Sequence, residues 1–346
     1  MLFVLLVFFG CAPSASQQQV DMFWPPPPAQ PRIKYLESWH KADDFGKSAF
    51  AAFAENIVGE ETTLMMRKPQ AVAVDSSGRI YVTDTIHGAV IVVDKVAKNF
   101  WLLGREGQGK LSVPVDIAID EGNGRIYVSD SKSKVVNIYD MNGFFLMNIT
   151  GDGGPEGAFE RPTGLAIDKK LRRLYVADTL KHKFLVFSLD GKYISTTGIR
   201  GGEDGQFNYP IYIAINSKSE VYIVDSGNFR VQAFDSEGKF ILKFGRIGDC
   251  SLDCFARPKG IAIDSEDHVY VSDTAFNNFR LFNPDGQMLM DVGHAGPGLG
   301  EFRNPAGISI DQHDRIYVVD QLNLRVQVFQ YLGGRYSGEK KNLLDK

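Results

Sequence analysis

The strongest constraint on the fold of this chain is a unit that recurs six times from residue 69 onward. Each unit opens with a proline and an alternating strand, and its second strand ends on an aspartate. These aspartates lie 46 to 48 residues apart: Asp84, Asp130, Asp178, Asp225, Asp273 and Asp320. A period of this length is typical of propellers and solenoids, in which every unit packs on its neighbours.

The strand content of one repeat separates these two architectures. A third alternating strand follows each aspartate, and turns such as Asn142-Gly143 and Asp190-Gly191 lead several units into a fourth strand. Asn-Gly and Asp-Gly favour tight hairpins because both positions tolerate positive φ. Four short antiparallel strands per unit indicate a propeller. We therefore predict an all-β, six-bladed β-propeller of four-stranded antiparallel blades.

One position of the first strand is small in every repeat. It holds, in chain order, Ala73, Ala118, Ala166, Ala214, Ala262 and Ser309. The innermost strands of a propeller crowd around its axis, so only small side chains fit where neighbouring sheets converge. Branched residues on either side, such as Ile117 and Ile119, alternate with this position and fill the other face.

The repeated stretches Pro-x-Gly-Ile-Ala-Ile-Asp, Ile-Tyr-Val-Ser-Asp and Asn-x-Arg-Val-Gln-Val-Phe resemble the NHL repeat family. The resemblance extends over roughly residues 60–332, and we assign residues 59–337 to an NHL propeller. It implies the fold far more specifically than it implies a function, because NHL propellers serve many roles.

Three segments flank the repeats. Residues 32–42 alternate like a strand, and we expect them to supply the outer strand of the last blade, which closes the ring and removes a free edge. Residues 43–58 carry an apolar stripe at helical spacing and predict an amphipathic helix. Residues 338–346 are interpreted as a tail.

The N-terminus indicates export. Residues 1–10 form an apolar run too short to span a membrane, which needs about 20 residues, and they end at a Gly-Cys step. This resembles a bacterial lipoprotein signal peptide, with Cys11 as the lipidated residue. The alternative is a plain secretory signal with an incidental cysteine. We expect a bacterial cell-envelope protein, anchored as an outer-membrane lipoprotein that faces the periplasm or the exterior.

Residues 11–31 are interpreted as a lipid-anchored tether and proline-rich spacer. Four consecutive prolines, Pro25 to Pro28, favour polyproline II and a stiff spacer. The alternative is that this segment packs on the domain surface, which Phe23 and Trp24 would allow.

The remaining cysteines, Cys250 and Cys254, lie in one inserted loop. In an oxidising compartment such a pair most often forms a disulfide, and we predict one here. Metal ligation is the rival interpretation. A closed loop of this kind could act in recognition or only in local stabilisation.

Charge bears on the choice of partner. The net charge is −4 and no long Lys/Arg run is present, so nucleic acid is a poor candidate. A rigid ring of loops is instead a surface on which binding evolves. Candidate partner-binding residues flank the repeated prolines: Arg161, Tyr209, Tyr212, Arg257, Lys259 and Asn304. The alternative is that the tyrosines pack between blades and the cations are solvated.

An enzyme is the second interpretation. Some related propellers are metal-dependent lyases or calcium-dependent lactonases, whose ligands converge on the central channel. The weak metal-ligand candidates are His87, His182 and His294, and no nucleophile motif occurs. We therefore expect a non-enzymatic, envelope-tethered binding or scaffold protein without a cofactor, which presents one face to a protein, peptide or glycan. The alternative is a metal-dependent lyase or hydrolase at the channel mouth.

Overall fold

The computed structural model describes residues 21–41, 65–247, 253–334 and 336, and its strands form six sheets. Two strands precede the repeats: β1 (Phe23–Trp24) and β2 (Ile33–Trp39). Blade 1 consists of β3 (Pro69–Val74), β4 (Ile80–Asp84), β5 (Ala89–Asp94) and β6 (Asn99–Leu103). Blade 2 consists of β7 (Pro114–Asp120), β8 (Arg125–Asp130), β9 (Val135–Asp140) and β10 (Phe145–Ile149). Blade 3 consists of β11 (Pro162–Asp168), β12 (Arg173–Asp178), β13 (Lys183–Ser188) and β14 (Tyr193–Thr197).

The second half of the ring repeats the pattern. Blade 4 consists of β15 (Pro210–Ile215), β16 (Val221–Asp225), β17 (Arg230–Phe234) and β18 (Phe240–Phe244), with a 3-10 turn at Ser226–Asn228. Blade 5 consists of β19 (Pro258–Ile263), β20 (Val269–Asp273), β21 (Asn278–Phe282) and β22 (Met288–Val292). Blade 6 contains β23 (Pro305–Ile310), β24 (Arg315–Asp320) and β25 (Arg325–Tyr331).

The first strands of the six blades form the inner wall of a closed ring. Each contacts the first strand of the next blade, and β23 of blade 6 contacts β3 of blade 1. The predicted all-β, six-bladed propeller is confirmed.

Closure uses the N-terminal strand as expected. β2 pairs antiparallel with β25, from Ile33 opposite Tyr331 to Trp39 opposite Val326, and becomes the fourth strand of blade 6. The short β1 then pairs with β2 as a fifth strand. Trp24 packs edge-on against Phe329, with ring centroids 5.6 Å apart. The described start of the proline-rich segment thus lies against blade 6.

The apolar core is divided into six clusters, each between two adjacent blades. Between blades 1 and 2, for example, Ala73 and Tyr81 of one blade pack with Ile117 of the other. The repeated alanines therefore lie where neighbouring sheets converge, as their size predicts. Blades 5 and 6 bury Ile33 and Tyr35 of the closing strand in the same way. Burial of such large side chains is the main favourable term in the stability of the ring.

Several predicted features lie outside the described residues: the signal peptide and Cys11, the helix at 43–58, Cys250 of the predicted disulfide, and the tail at 338–346. Cys254 is described and is buried. Among the described residues, no helix has the length and apolar character needed to cross a bilayer.

Candidate binding site on the proline face

The two ends of the ring differ in the chain segments that they present. In every blade the opening proline pairs with the aspartate that ends the second strand, as Pro69 pairs with Asp84 and Pro162 with Asp178. All six prolines and all six aspartates therefore lie at one end, which we call the proline face. The opposite end holds the turns between first and second strands, and we call it the turn face.

The six aspartates build the proline face. All are fully buried, and their carboxylates accept hydrogen bonds from the backbone just before the proline that opens the same blade. Asp178 accepts the amides of Glu160 and Arg161, both at 2.8 Å. Asp84 accepts Lys68 N at 2.9 Å and, through its other oxygen, Ile86 N at 3.0 Å. Each carboxylate thus connects the end of the second strand to the loop that precedes the opening proline.

A register shift near the opening proline of each inner strand directs side chains toward the axis. The register of every inner strand shifts within three residues of its proline, as between Pro69 and Val72 and between Pro258 and Ile261. An irregularity of this kind breaks the strand's strict alternation and re-aims side chains. It falls at Gln70, Tyr212 and Lys259, which line the mouth of the channel.

The mouth of the channel is a cavity of about 430 Å3. Three cations line it, namely Lys68, Arg161 and Lys259. Its apolar lining consists of Ile86, Val113, Val115 and Ile211, and its polar lining consists of Gln70, Thr85, Ser131, Thr163 and Tyr212. Its volume falls within the range of ordinary small-ligand pockets, which is about 300–1,000 Å3.

Tyr212 forms the floor of this cavity. It extends from blade 4, and its hydroxyl donates to the Gln70 carbonyl of blade 1 at 3.4 Å. It also lines a second axial cavity of about 280 Å3 toward the turn face, so it divides the channel. Burial raises the pKa of Tyr212, and the nearby Asp116 carboxyl raises it further, so the hydroxyl stays protonated.

Asp116 is the one buried carboxyl beside this floor among the described residues that line either cavity. Its Oδ2 accepts Leu165 N of blade 3 at 2.8 Å, and its Oδ1 accepts Ile117 N at 2.9 Å. Burial raises its pKa to about 7, although both hydrogen bonds act in the opposite direction. The carboxyl therefore joins two blades through its hydrogen bonds.

The charge on the proline face is unbalanced. Lys259 Nζ donates to Gln70 Oε1 at 3.0 Å. Burial, together with the positive charges of Lys68 and Arg257, lowers the pKa of Lys259 to about 8. Within the described ranges, no carboxylate forms an ion pair with Lys68, Arg161, Arg257 or Lys259. An anion would therefore be favoured here.

The predicted binding residues have different placements. Arg161, Tyr212 and Lys259 line one cavity, and Arg257 lies near enough to act on the pKa of Lys259. Asn304 lies on the same face, where its Nδ2 donates to Gln321 Oε1 at 2.6 Å. The structure thus brings the cations together on the proline face. Tyr212 is buried, in line with the alternative that this tyrosine packs inside the protein.

Tyr209 is also on the proline face but outside the cavity. Its side chain is 43% exposed and its ring lies 4.9 Å from that of His182. Its φ of 57° is left-handed, which is uncommon for a bulky residue, and its amide donates to His182 Nδ1 at 3.3 Å.

The three candidate metal ligands have separate environments. His87 Nε2 lies 2.8 Å from the Met65 carbonyl oxygen, His182 contacts Tyr209, and His294 is highly exposed with Nδ1 3.9 Å from Glu301. In the part of the chain that the structure describes, no three His, Cys, Asp or Glu side chains form a group suited to a metal ion.

Most of the lining residues were not among the sequence candidates, and Lys68, Gln70 and Thr163 are the ones that flank a repeated proline as the candidates do. Lys68 precedes Pro69 as Arg161 precedes Pro162, so the repeat register contains the information needed to find it. Gln70 and Thr163 follow their prolines as Lys259 follows Pro258.

The fold and the site define a closed six-bladed propeller with a cationic cavity on one face. The chain belongs to the DUF5128 family, described as a 6-bladed beta-propeller, whose match covers residues 113–200 and 254–345, over half of the chain. Comparison with curated proteins finds no match.

Several solved structures share the fold at low sequence identity. An auxiliary nutrient binding protein from Bacteroides thetaiotaomicron is 12% identical with a TM-score of 0.60, covering 78% of this chain and 70% of its own. Virginiamycin B lyase from Staphylococcus aureus is 12% identical with a TM-score of 0.58, covering 87% and 100%. A gluconolactonase from Xanthomonas campestris is 12% identical with a TM-score of 0.60, covering 77% and 86%.

Proposed function

We propose that this protein is a non-enzymatic binding or scaffold protein of the NHL type. Its proline face would engage a protein, peptide or glycan in the bacterial envelope. The observation that carries this proposal is the channel-mouth cavity, in which Lys68, Arg161 and Lys259 converge without a carboxylate partner among the described residues. Lys68 and Arg161 are exposed, but Lys259 is partly buried. A partly buried charge without a carboxylate partner destabilises a fold, which supports a functional site at this position.

The surroundings of the cavity support an interface. Apolar side chains stand on the hairpins that encircle it: Ile86 is 55% exposed, Leu180 40% and Leu322 67%. All three follow a terminal aspartate by two residues and belong to turns fixed by that aspartate's carboxylate or backbone. Exposed apolar groups around a charged centre, held on a rigid scaffold, are typical of recognition surfaces.

Capture of partners from envelope extract tests the proposal. The triple variant R161A/R257A/K259A removes three cations from the proline face, and K170A/K192A/K218A is the matched control because its three lysines are exposed on the turn face. We expect one set of partners to be retained by the wild type and the control and lost by the proline-face variant. Equal retention by both variants would refute the assignment of the binding face.

A second candidate is a metal-dependent lyase or hydrolase at the channel mouth. The observation in its favour is Asp116, which has a pKa of about 7 and lines the second axial cavity on the other side of Tyr212 from the channel mouth. The lyase and the gluconolactonase that share the fold are consistent with it. Stoichiometric zinc or calcium in protein purified without chelator would favour this candidate over the binding protein.

The envelope location belongs to the same proposal. Lipidation at Cys11 would hold the propeller at the outer membrane, facing the periplasm or the exterior, and a Cys250–Cys254 disulfide would be compatible with that compartment. Cys11→Ser tests the anchor. We expect the wild type in the membrane fraction and the variant in the soluble fraction. Unchanged membrane association of the variant would refute lipid anchoring.

A further inference from the structure

We propose that the channel-mouth cavity binds the carboxylate end of a ligand whose neighbouring group is aliphatic, as at the C-terminal residue of a peptide. This inference rests on the proposed binding function and specifies the chemistry of its ligand. It follows from the charge of the cavity, the nature of its wall and the closure of its floor.

The charge selects an anion. Lys68, Arg161 and Lys259 line the cavity, and Arg257 lies close by. The buried aspartates of the proline face form no ion pair with these side chains. Their oxygens accept backbone amides, as Asp273 accepts the amides of Ala256 and Arg257, and Asp225 and Asp320 pair with Arg230 and Arg325 instead. Arg161 is suited to bidentate contact with a carboxylate, and Lys259 adds a compact charge deeper in the site.

The wall selects an aliphatic neighbour for that anion. Ile86, Val113, Val115 and Ile211 form the apolar part of the lining, and among the described residues that line the cavity Tyr212, at the floor, is the only aromatic one. A sugar ring usually stacks on an exposed aromatic face, whereas a leucine-sized side chain gains most from branched aliphatic contacts. The wall therefore favours an amino-acid side chain over a saccharide.

The floor selects the end of a ligand. Tyr212 crosses the axis and bonds the Gln70 carbonyl of another blade, so a ligand chain cannot thread through the channel. A dead-end cavity of about 430 Å3 accommodates one terminal residue, while the rest of a peptide would lie across the hairpins that carry Leu180 and Leu322. A C-terminal residue supplies its carboxylate and its side chain together.

Calorimetric titration of the full-length protein with N-acetyl-leucine, N-acetyl-leucinamide, glucuronate and a four-residue peptide ending in leucine tests the inference. We expect N-acetyl-leucine and the peptide to bind, with the peptide tighter because it also reaches the rim. The amide and glucuronate should bind at least about tenfold more weakly, since each lacks one of the two groups. Binding of the free amino acid derivative but not the peptide would instead identify a small-molecule carboxylate.

Matched variants connect that binding to the cavity. Lys259→Gln should weaken N-acetyl-leucine binding by about tenfold or more, while Lys218→Gln on the turn face should leave it unchanged. Binding by the wild type should also weaken from pH 7 to pH 9, because Lys259, which faces Lys68, Arg257, Arg161, Gln70 and Tyr212, loses its proton in that range.

Several outcomes would overturn the inference. Equal binding of the acid and the amide would exclude carboxylate recognition, and binding of glucuronate alone would exclude the aliphatic wall. Binding of no probe would also refute the ligand class, but the proposed function would stand if R161A/R257A/K259A still lost its envelope partners. Retention of those partners by the triple variant would refute the proposed function independently of the probes.

Discussion

The turn face and the channel mouth of the proline face differ in whether their cations have a carboxylate partner. On the turn face, Asp75 receives the Arg79 Nε–H at 2.8 Å and the Tyr81 hydroxyl at 3.0 Å, all within one blade. The same arrangement recurs in blade 6 with Asp311, and in blade 5 a histidine replaces the arginine. On the proline face, the six aspartates accept backbone amides, and Asp225 and Asp320 also pair with Arg230 and Arg325. The cations of the channel mouth have no carboxylate partner among the described residues.

This difference indicates which charged groups contribute to stability and which are available to a ligand. A carboxylate paired with a neighbouring cation and a tyrosine completes its hydrogen bonds inside the blade and offers little to a ligand. Lys259 instead has a neutral amide oxygen as its partner and two positive charges nearby. A face that retains such a group is less stable than it would be with an apolar side chain, and that is typical of functional sites.

The largest effect is expected where the proline face depends on a buried carboxylate. Asp178→Ala would leave the amides of Glu160 and Arg161 without their acceptor inside the fold. We expect the free energy of unfolding to fall by about 2–4 kcal/mol, measured by urea denaturation. Asp190→Ala removes an exposed partner of Arg125 on the turn face and should change the midpoint little. Similar urea denaturation midpoints for both variants would contradict the proposed role of the buried aspartates.

A stabilising effect is expected from Lys259→Met. The folded pKa of Lys259 is about 8, below its unfolded value of 10.5, so the folded state disfavours the charged form at pH 7. Methionine removes that penalty and should raise the free energy of unfolding by about 1–2 kcal/mol after allowance for solvent screening. It should also weaken carboxylate binding, as we expect of Lys259→Gln.

The same variant carries a pH test. Between pH 8 and pH 10.5 the unfolded state binds more protons than the folded state, so wild-type stability rises with pH in this window. The advantage of Lys259→Met over wild type should therefore shrink as pH rises from 7 to 10. A constant difference, or a destabilised variant at pH 7, would contradict an unfavourable charge at this position. Lys218→Met is the matched control on the turn face.

The smallest effect is expected at a satisfied pair on the turn face. The hydrogen bond to Asp264 raises the pKa of His268 against the opposing effect of burial. Its stabilising contribution is fully present below the unfolded pKa of about 6.5 and is lost as pH rises through the higher folded value. His268→Gln should therefore lower the melting temperature more at pH 5.5 than at pH 8. The size of this change should be smaller than that of the change in the opposite direction caused by Lys259→Met.

His294→Gln controls for the loss of an imidazole at an exposed position. A pH-independent effect of His268→Gln would show that the Asp264 pair does not stabilise the turn face.

The blades were predictable from the sequence because each repeat specifies its own strands and turns. The proline, the alternation and the terminal aspartate lie within one unit, and even ring closure was visible in residues 32–42, whose strand pattern had no blade of its own. The repeat register also brought Arg161, Arg257 and Lys259 to one face, since equivalent positions must lie at the same end of equivalent blades.

The cavity itself was not predictable in this way. The repeat states where a residue lies within its blade but not which side chain faces it across the axis. The contact from Tyr212 in blade 4 to Gln70 in blade 1 joins residues 142 positions apart. The buried setting of Asp116 depends in the same way on Leu165 of the next blade. Such contacts follow from the diameter of the ring, which sequence periodicity does not specify.

The protonation of Lys259 tests most directly whether the proline face carries unbalanced charge. Protein with carbon-13 at lysine Cε can be titrated by NMR, and the Lys259 resonance can be assigned by its loss in Lys259→Met. We predict a pKa of about 8 in the free protein and a higher value when N-acetyl-leucine is bound. A pKa near 10.5 in the free protein, unmoved by the carboxylate, would contradict the account.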